Sequence, residues 1–385
     1  MRFDPSPIER ITTAVACLLP PAEIEVSGCL AYTNIPDFGW DFGNHLLRTL
    51  YRPRICRLAA VELRRFPSDA RLAVPSGEEM LPICGEHVAG EQVHPSWSDE
   101  GLQQAIAGCE TTDCIDESAI IIGRFGMRTW GHWLGELLPK IVCVEAMEPG
   151  RYRYLFPAPL MSDPLLKPQR ESLEFYGLGP DRLHLLEPGR SYRFRELAWV
   201  SSVWSDRMMH PAAIEAMRKH ASIHDEGIDR ADRIALLRRE SSTRNLANLD
   251  EIQWFLRSHA WNIIDIGQLS FAEQVATFEA ASAVISVLGS GLAGLMYAPR
   301  GVKVLTLTPV GWADGFFFAM MQNRNAALAE IRGLKSPADP RPVAISSFHV
   351  KVEDIERGLR GLGLLPNRFG WPPEAGRACD AVGSW

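Results

Sequence analysis

The rhythm of apolar and polar positions changes near residue 118. Before it, residues 1–115 alternate short apolar runs with Pro, Gly and charge, as in Arg71-Leu72-Ala73-Val74-Pro75. That texture predicts β-rich or irregular structure. Ala119-Ile120-Ile121-Ile122-Gly123 is then a short apolar run closed by glycine, the mark of a buried strand. Over residues 132–147 the apolar positions Trp133, Leu137, Ile141 and Val144 follow helical spacing. Tyr154-Leu155-Phe156-Pro157 predicts a second strand, residues 165–176 a helix and Leu197-Ala198-Trp199-Val200 a third strand. Pro211 stands where the first turn of a further helix tolerates a missing N–H. Alternating strands and helices of this kind build a parallel sheet.

A charged stretch containing Gly227, residues 224–232, marks the expected domain boundary. Beyond it the alternation restarts. Strands are expected at 233–237, 261–265, 284–287 and 302–307, with a helix at 249–258. Ser270 and Glu273 have the spacing of a capping box at the start of another helix. Gly289-Ser290-Gly291 is a tight turn into a helix at 292–297, and residues 352–359 read as a last amphipathic helix. The organisation expected is an N-terminal α/β domain over 1–225, a Rossmann-like domain over 226–345, and a C-terminal helix and tail over 346–385 that packs back.

Bulk properties narrow the classes. The chain has 385 residues, too many for one compact core and suited to two domains. Lys plus Arg number 40 against 47 Asp plus Glu, a net charge of −7, so no global attraction draws the chain to nucleic acid. No apolar run reaches the length of a membrane span, and the N-terminus has no secretory leader pattern. The location expected is cytoplasmic, including peripheral attachment at the inner membrane. Eight cysteines are scattered, with Cys109 and Cys114 nearest each other and no second pair to complete a zinc site. Reduced, mostly buried thiols are expected.

Three constellations carry candidate chemistry. At Gly289, Ser290 and Gly291 a buried strand ends and a helix begins, which exposes backbone N–H groups that suit a phosphate or diphosphate. A tight turn without a ligand would read the same way. Arg238, Arg239 and Arg244 follow another strand of the same sheet in a polar loop, as phosphate ligands or as solvated charges paired with Glu240. His132 and Glu136, at i and i+4, lie on one helical face. They suit a base that deprotonates a hydroxyl, half of a metal site, or a structural pair. Trp130, Trp133, Trp204, Trp254, Trp261 and Trp312 offer faces for stacking on sugars or bases, or simply core volume.

In their order these segments resemble the family 61 glycosyltransferases. His132-Trp133-Leu134-Gly135-Glu136-Leu137-Leu138-Pro139 is similar to the family's HWLxDxLP, with Glu136 where aspartate is usual. Arg244-Asn245-Leu246-Ala247-Asn248 resembles its arginine and asparagine segment, and Leu269-Ser270-Phe271-Ala272-Glu273-Gln274 its LSFxEQ helix start. Leu288-Gly289-Ser290-Gly291-Leu292 resembles HGAGL, and Tyr297-Ala298-Pro299-Arg300-Gly301 resembles FAPxG. The resemblance implies a GT-B architecture, two Rossmann-like α/β domains facing a cleft. It also implies inverting transfer from a nucleotide-sugar donor to a glycan or glycolipid acceptor in capsular or extracellular polysaccharide synthesis, beside other proteins of that synthesis, without cofactor or obligatory metal. Glu136 would be the base with His132 beside it. The donor would sit on Arg238, Arg239, Arg244, Asn248, Gly289, Ser290, Gly291 and Leu292. Departures stand at Leu288 for histidine, Gly294 for asparagine, Leu249 for glutamate and Thr306 for the glutamate of VLEL. They motivate an alternative, an inactive relative that binds glycan or a partner enzyme. A nicotinamide-dependent oxidoreductase fits less well, because its glycine fingerprint would follow the first strand of the domain.

Overall fold

In a computed structural model of the chain, residues 12–20, 22–25, 30–34, 48–51, 54–58, 62–65, 72–76, 79–83, 112–122, 129–157, 167–205, 208–221, 231–237, 243–312 and 314–366 are described. The chain forms two compact units, one of residues 1–23 and 49–223, the other of residues 24–48 and 224–385. No helix among the described residues is long and apolar enough to cross a membrane.

The first unit is built on four parallel strands, β1 (Thr112–Ile121), β2 (Arg153–Pro157), β3 (Leu183–Leu186) and β4 (Ser191–Val200), in the order β3-β2-β1-β4. Antiparallel strands Glu62–Arg65, Leu72–Ser76 and Glu79–Ile83 extend the sheet beyond β4, and Arg54–Leu58 pairs with both β4 and Thr12–Cys17. The N-terminal region is therefore β-rich where it is described. Ala119, Ile121, Leu155, Leu197 and Trp199 share one core cluster, as the two-residue period of strands requires. A helical rod follows β1: an α turn Trp130–His132, a π turn Trp133–Leu137 and helix α1 (Leu138–Met147). Helices α2 (Lys167–Phe175) and α3 (Pro211–Ala221) are the further α-helices among this unit's described residues. Trp133 is fully buried and its Nε1 donates to Ser172 Oγ at 2.8 Å, so this tryptophan is core. Of the described cysteines, Cys56 and Cys143 are buried while Cys17 and Cys114 are exposed, against the expectation of burial for most.

The second unit carries parallel strands β5 (Arg233–Leu236), β6 (Asn262–Ile264), β7 (Ala283–Val287), β8 (Lys303–Pro309) and β9 (Ala327–Lys335), ordered β6-β5-β7-β8-β9. Leu30–Thr33 adds to β9 in parallel and Phe348–His349 pairs with it antiparallel. Helices are α4 (Leu249–Ser258), α5 (Phe271–Ala280), α6 (Gly315–Asn323) and α7 (Val352–Gly361). Ser270 and Glu273 form the expected capping box on α5. Ile285, Leu305, Leu307, Ala329 and Ile331 pack with Ile252, Phe255 and Leu256 of α4 and with Ile355 and Leu359 of α7. Helix α7 thus packs on its own unit's sheet. Its apolar stripe finds the nearest uncovered face.

The helix expected at 292–297 is a 3-10 helix, Ser290–Tyr297. Its tight winding draws Gly294 against α5, where a Cβ at 294 would run into the Phe278 ring. Gly294→Ala should cost about 1–3 kcal/mol through overpacking. Chemical denaturation checks this, and a variant as stable as the parent would show that Phe278 yields freely.

Candidate functional site

The order of the second sheet reverses between β5 and β7, since the chain leaves β5 for β6 on one side and then returns to place β7 on the other. Connecting helices fall on opposite faces: α4 joins the core around Ile285, whereas Phe271 of α5 packs edge-on against Tyr297 of the 3-10 helix. Open parallel sheets bind ligands at such a switch point, beyond the carboxyl ends of the strands. The two loops leaving these strands are the arginine loop and the glycine bend. Arg238 and Arg239 lie outside the described residues. Thr243, Arg244 and Leu246 from the first loop line one recess with Val287, the last residue of β7, and Leu288, which leads into the bend. Residues about 45 positions apart are brought together there.

Backbone chemistry explains the bend. Leu288 N–H still bonds Leu307 O at 2.9 Å, which continues the strand ladder. The first helical bond is Leu292 N–H to Gly289 O, at 2.9 Å. The N–H groups of Ser290 and Gly291 precede it and stand at the positive end of the helix. Gly289 is extended, at φ 165°, and a Cβ at Gly291 would make only ordinary contact with Ile266. Neither glycine is required by backbone strain. Their effect is to leave these amides uncovered by side chains.

Arg244 is held from several directions. Its φ of 54° lies in the left-handed region, which costs a side-chain-bearing residue roughly 1–2 kcal/mol. Offsetting that cost, its backbone N–H donates to Ile345 O at 3.2 Å and its NH1 to Ala344 O at 2.9 Å. Its guanidinium carbon sits 5.6 Å from the centre of the Trp312 ring, within cation–π range.

Two expected donor residues serve structure instead. Asn248 Nδ2 donates to Val350 O and Glu251 Oε2, and its Oδ1 accepts from Val350 N–H. The whole amide is thereby committed to tying α4 to the strand before α7. Leu292 is fully buried and its N–H is spent inside the 3-10 helix. Of the tryptophans, Trp261 is buried, Trp254 is 73% exposed on α4, and Trp130 and Trp312 are partly buried. The Trp204 side chain lies outside the described residues.

In the first unit, His132 Nδ1 and Glu136 Oε1 are 2.9 Å apart, with side chains 40% and 8% exposed. The pair occupies the rod that follows the carboxyl end of β1, and the π turn sets its geometry. Leu138 N–H bonds Trp133 O, five residues back, and Pro139 follows with no N–H to give. In a regular α-helix the Pro139 ring would meet the Gly135 carbonyl, and the wider turn relieves that clash. Pro139→Ala should let the rod wind as continuous α-helix, with an unfolding midpoint equal to the parent's or higher. A crystal structure of the variant should show the His132 ring and the Glu136 carboxylate moved out of hydrogen-bonding range, and an unchanged π turn would refute proline as its cause. Lys140, one turn on, is also buried, a feature the run Leu137-Leu138-Pro139-Lys140-Ile141-Val142 signals only as a charge within an apolar stretch.

The second unit is thus an α/β sheet with Arg244 and the start of a 3-10 helix near its switch point. Residues 130–305 match the model of the family Glycosyltransferase 61. The match opens at the rod carrying His132 and Glu136, closes inside β8, and spans Arg244 and Gly289–Gly291. It covers less than half of the chain. No curated protein matches the sequence.

Proposed function

We propose that this protein is an inverting glycosyltransferase that uses a nucleotide-sugar donor and a glycan or glycolipid acceptor. One observation carries the reading: the arginine loop after β5 and the end of β7, immediately before the glycine bend, line a single recess at the switch point. The family match supports glycosyltransferase function in general.

In the reaction, the acceptor hydroxyl oxygen attacks the anomeric carbon and the bond from that carbon to the diphosphate oxygen breaks. Glu136 takes the hydroxyl proton, with His132 orienting its carboxylate. Arg244 and the Ser290 and Gly291 amides meet the charge that grows on the departing diphosphate. No cofactor or obligatory metal enters this scheme. The reading includes the GT-B organisation, the cytoplasmic side of the membrane as the place of reaction, and capsular or extracellular polysaccharide as the acceptor class. All three rest on the resemblance.

Calorimetric titration with UDP, GDP, CMP and inorganic pyrophosphate tests it. At least one nucleoside diphosphate should bind in the micromolar range, and failure of every one of these ligands at low salt would end the transferase reading. The inactive alternative draws on Gly294, where the Phe278 ring leaves no room for a side chain, and on Leu288, which is buried. Binding of a nucleotide with no hydrolysis or transfer from any sugar conjugate of it would favour that alternative.

A further inference from the structure

Beyond the residues matched to the family, a connected set of interactions leads from β9 to the recess. Trp312 lies in the loop after β8, and its N–H closes a turn on Pro309 O at 3.1 Å. Its own carbonyl accepts from Arg332 NH1 at 2.8 Å. The Arg332 side chain is 1% exposed, and its Nε and NH2 both donate to Glu330 Oε2, at 3.1 and 2.7 Å. The backbone N–H of Arg332 donates to Asn34 Oδ1 at 2.8 Å. Burial pushes the Glu330 carboxyl above its usual range while Arg332 pulls it back. Ion pairs this deep contribute little net stability compared with apolar side chains of similar volume. What this pair supplies is direction. It fixes the Arg332 fork so that the remaining nitrogen meets the Trp312 carbonyl.

The far end of the set is Arg244, with its guanidinium over the Trp312 ring and NH1 on Ala344 O. A free arginine side chain has about 2 kcal/mol of rotamer entropy to lose on binding an anion. Ring and carbonyl together remove much of that freedom beforehand, which is the general route by which preorganisation raises affinity.

We propose that Trp312, latched by the buried Glu330–Arg332 pair, is a positioning residue that holds the Arg244 guanidinium at the anion recess. This rests on Arg244 as a phosphate ligand in the proposed function. It also makes a distinction: a ring that orients Arg244 acts on any diphosphate, whereas a ring that stacks on the donor's base acts only on ligands that have one.

The test is titration of the full chain and its variants with inorganic pyrophosphate and with UDP and GDP. Trp312→Ala should weaken pyrophosphate and nucleoside diphosphate by the same factor, about tenfold. Trp312→Phe should recover most of that loss. Adding Trp312→Ala to Arg244→Ala should cost nothing further, because the residue it positions is gone. Weaker nucleotide binding with pyrophosphate unaffected would overturn the proposal in favour of base stacking, and additive losses in the double variant would overturn it as well. If Trp312→Ala fails to fold, Trp312→Leu, which fills the space without a π face, carries the same expectation. A parent that binds none of the ligands sinks both this inference and the transferase reading. A parent whose binding falls with Arg244→Ala but not with Trp312→Ala sinks this inference alone.

Discussion

Glu136→Gln should lower turnover by about 100-fold or more while nucleotide affinity stays at the parent's value. The substitution keeps the shape of the side chain and its ability to accept from His132, but an amide cannot take the acceptor's proton. Because glutamate and glutamine are nearly isosteric, the rod should keep its fold, and the unfolding midpoint serves as the control. Loss of kcat with donor Kd intact assigns the defect to the chemical step rather than to binding. His132→Gln should lower turnover less, since it removes an orienting interaction at 2.9 Å and leaves the carboxylate in place. Initial rates with the donor found by titration decide the matter, and a Glu136→Gln enzyme as fast as its parent would take that residue out of the proton-transfer step.

Local signals made much of this molecule legible. The alternation of apolar runs after residue 118 marked strands β1, β2 and β4–β8, and helix α4 spans the 249–258 stretch that periodicity indicated. Ser270 and Glu273 announced their helix because a capping box is complete within four residues. What escaped depends on partners far away in the chain. Leu30–Thr33 joins β9 across nearly 300 residues, so nothing in its neighbourhood could assign it to the second unit. Asn248 resembled a donor ligand until Val350, 102 residues on, proved to occupy its amide. Helix α6, Gly315-Phe316-Phe317-Phe318-Ala319-Met320-Met321, is apolar on every side and shows no helical period. The π turn at His132–Glu136 was hidden for a different reason. One inserted residue shifts the helical phase too little to disturb the spacing of Trp133, Leu137 and Ile141, even though Pro139 supplied the physical cause in plain view. The glycine bend and the arginine loop were legible as separate motifs. That the arginine loop meets Val287 and Leu288, just ahead of the bend, in one recess follows from strand order, which is a property of the whole sheet.

Arg244→Ala should weaken nucleoside diphosphate binding by about 10- to 150-fold, the range that follows from removing one charge-assisted hydrogen bond of about 1.5–3 kcal/mol. Alanine faces the same left-handed backbone as arginine, so the φ of 54° adds no strain to the variant that the parent does not already bear. Stability should change little, because the backbone bond to Ile345 O survives while the side-chain bond to Ala344 O and the contact with the Trp312 ring disappear. Arg244→Lys separates charge from geometry. Lysine restores the positive charge but neither the planar fork nor the flat stacking on Trp312, so its affinity should fall between those of parent and alanine. Salt gives an independent reading: the gap between parent and Arg244→Ala should narrow as ionic strength rises, because screening weakens the interaction only where the arginine is present. An alanine variant that binds as tightly as the parent at low salt would clear Arg244 of any part in holding the ligand. Of the groups proposed to hold the diphosphate, the Ser290 and Gly291 amides would then remain, and two neutral donors without a cation are too weak to explain micromolar binding of a diphosphate.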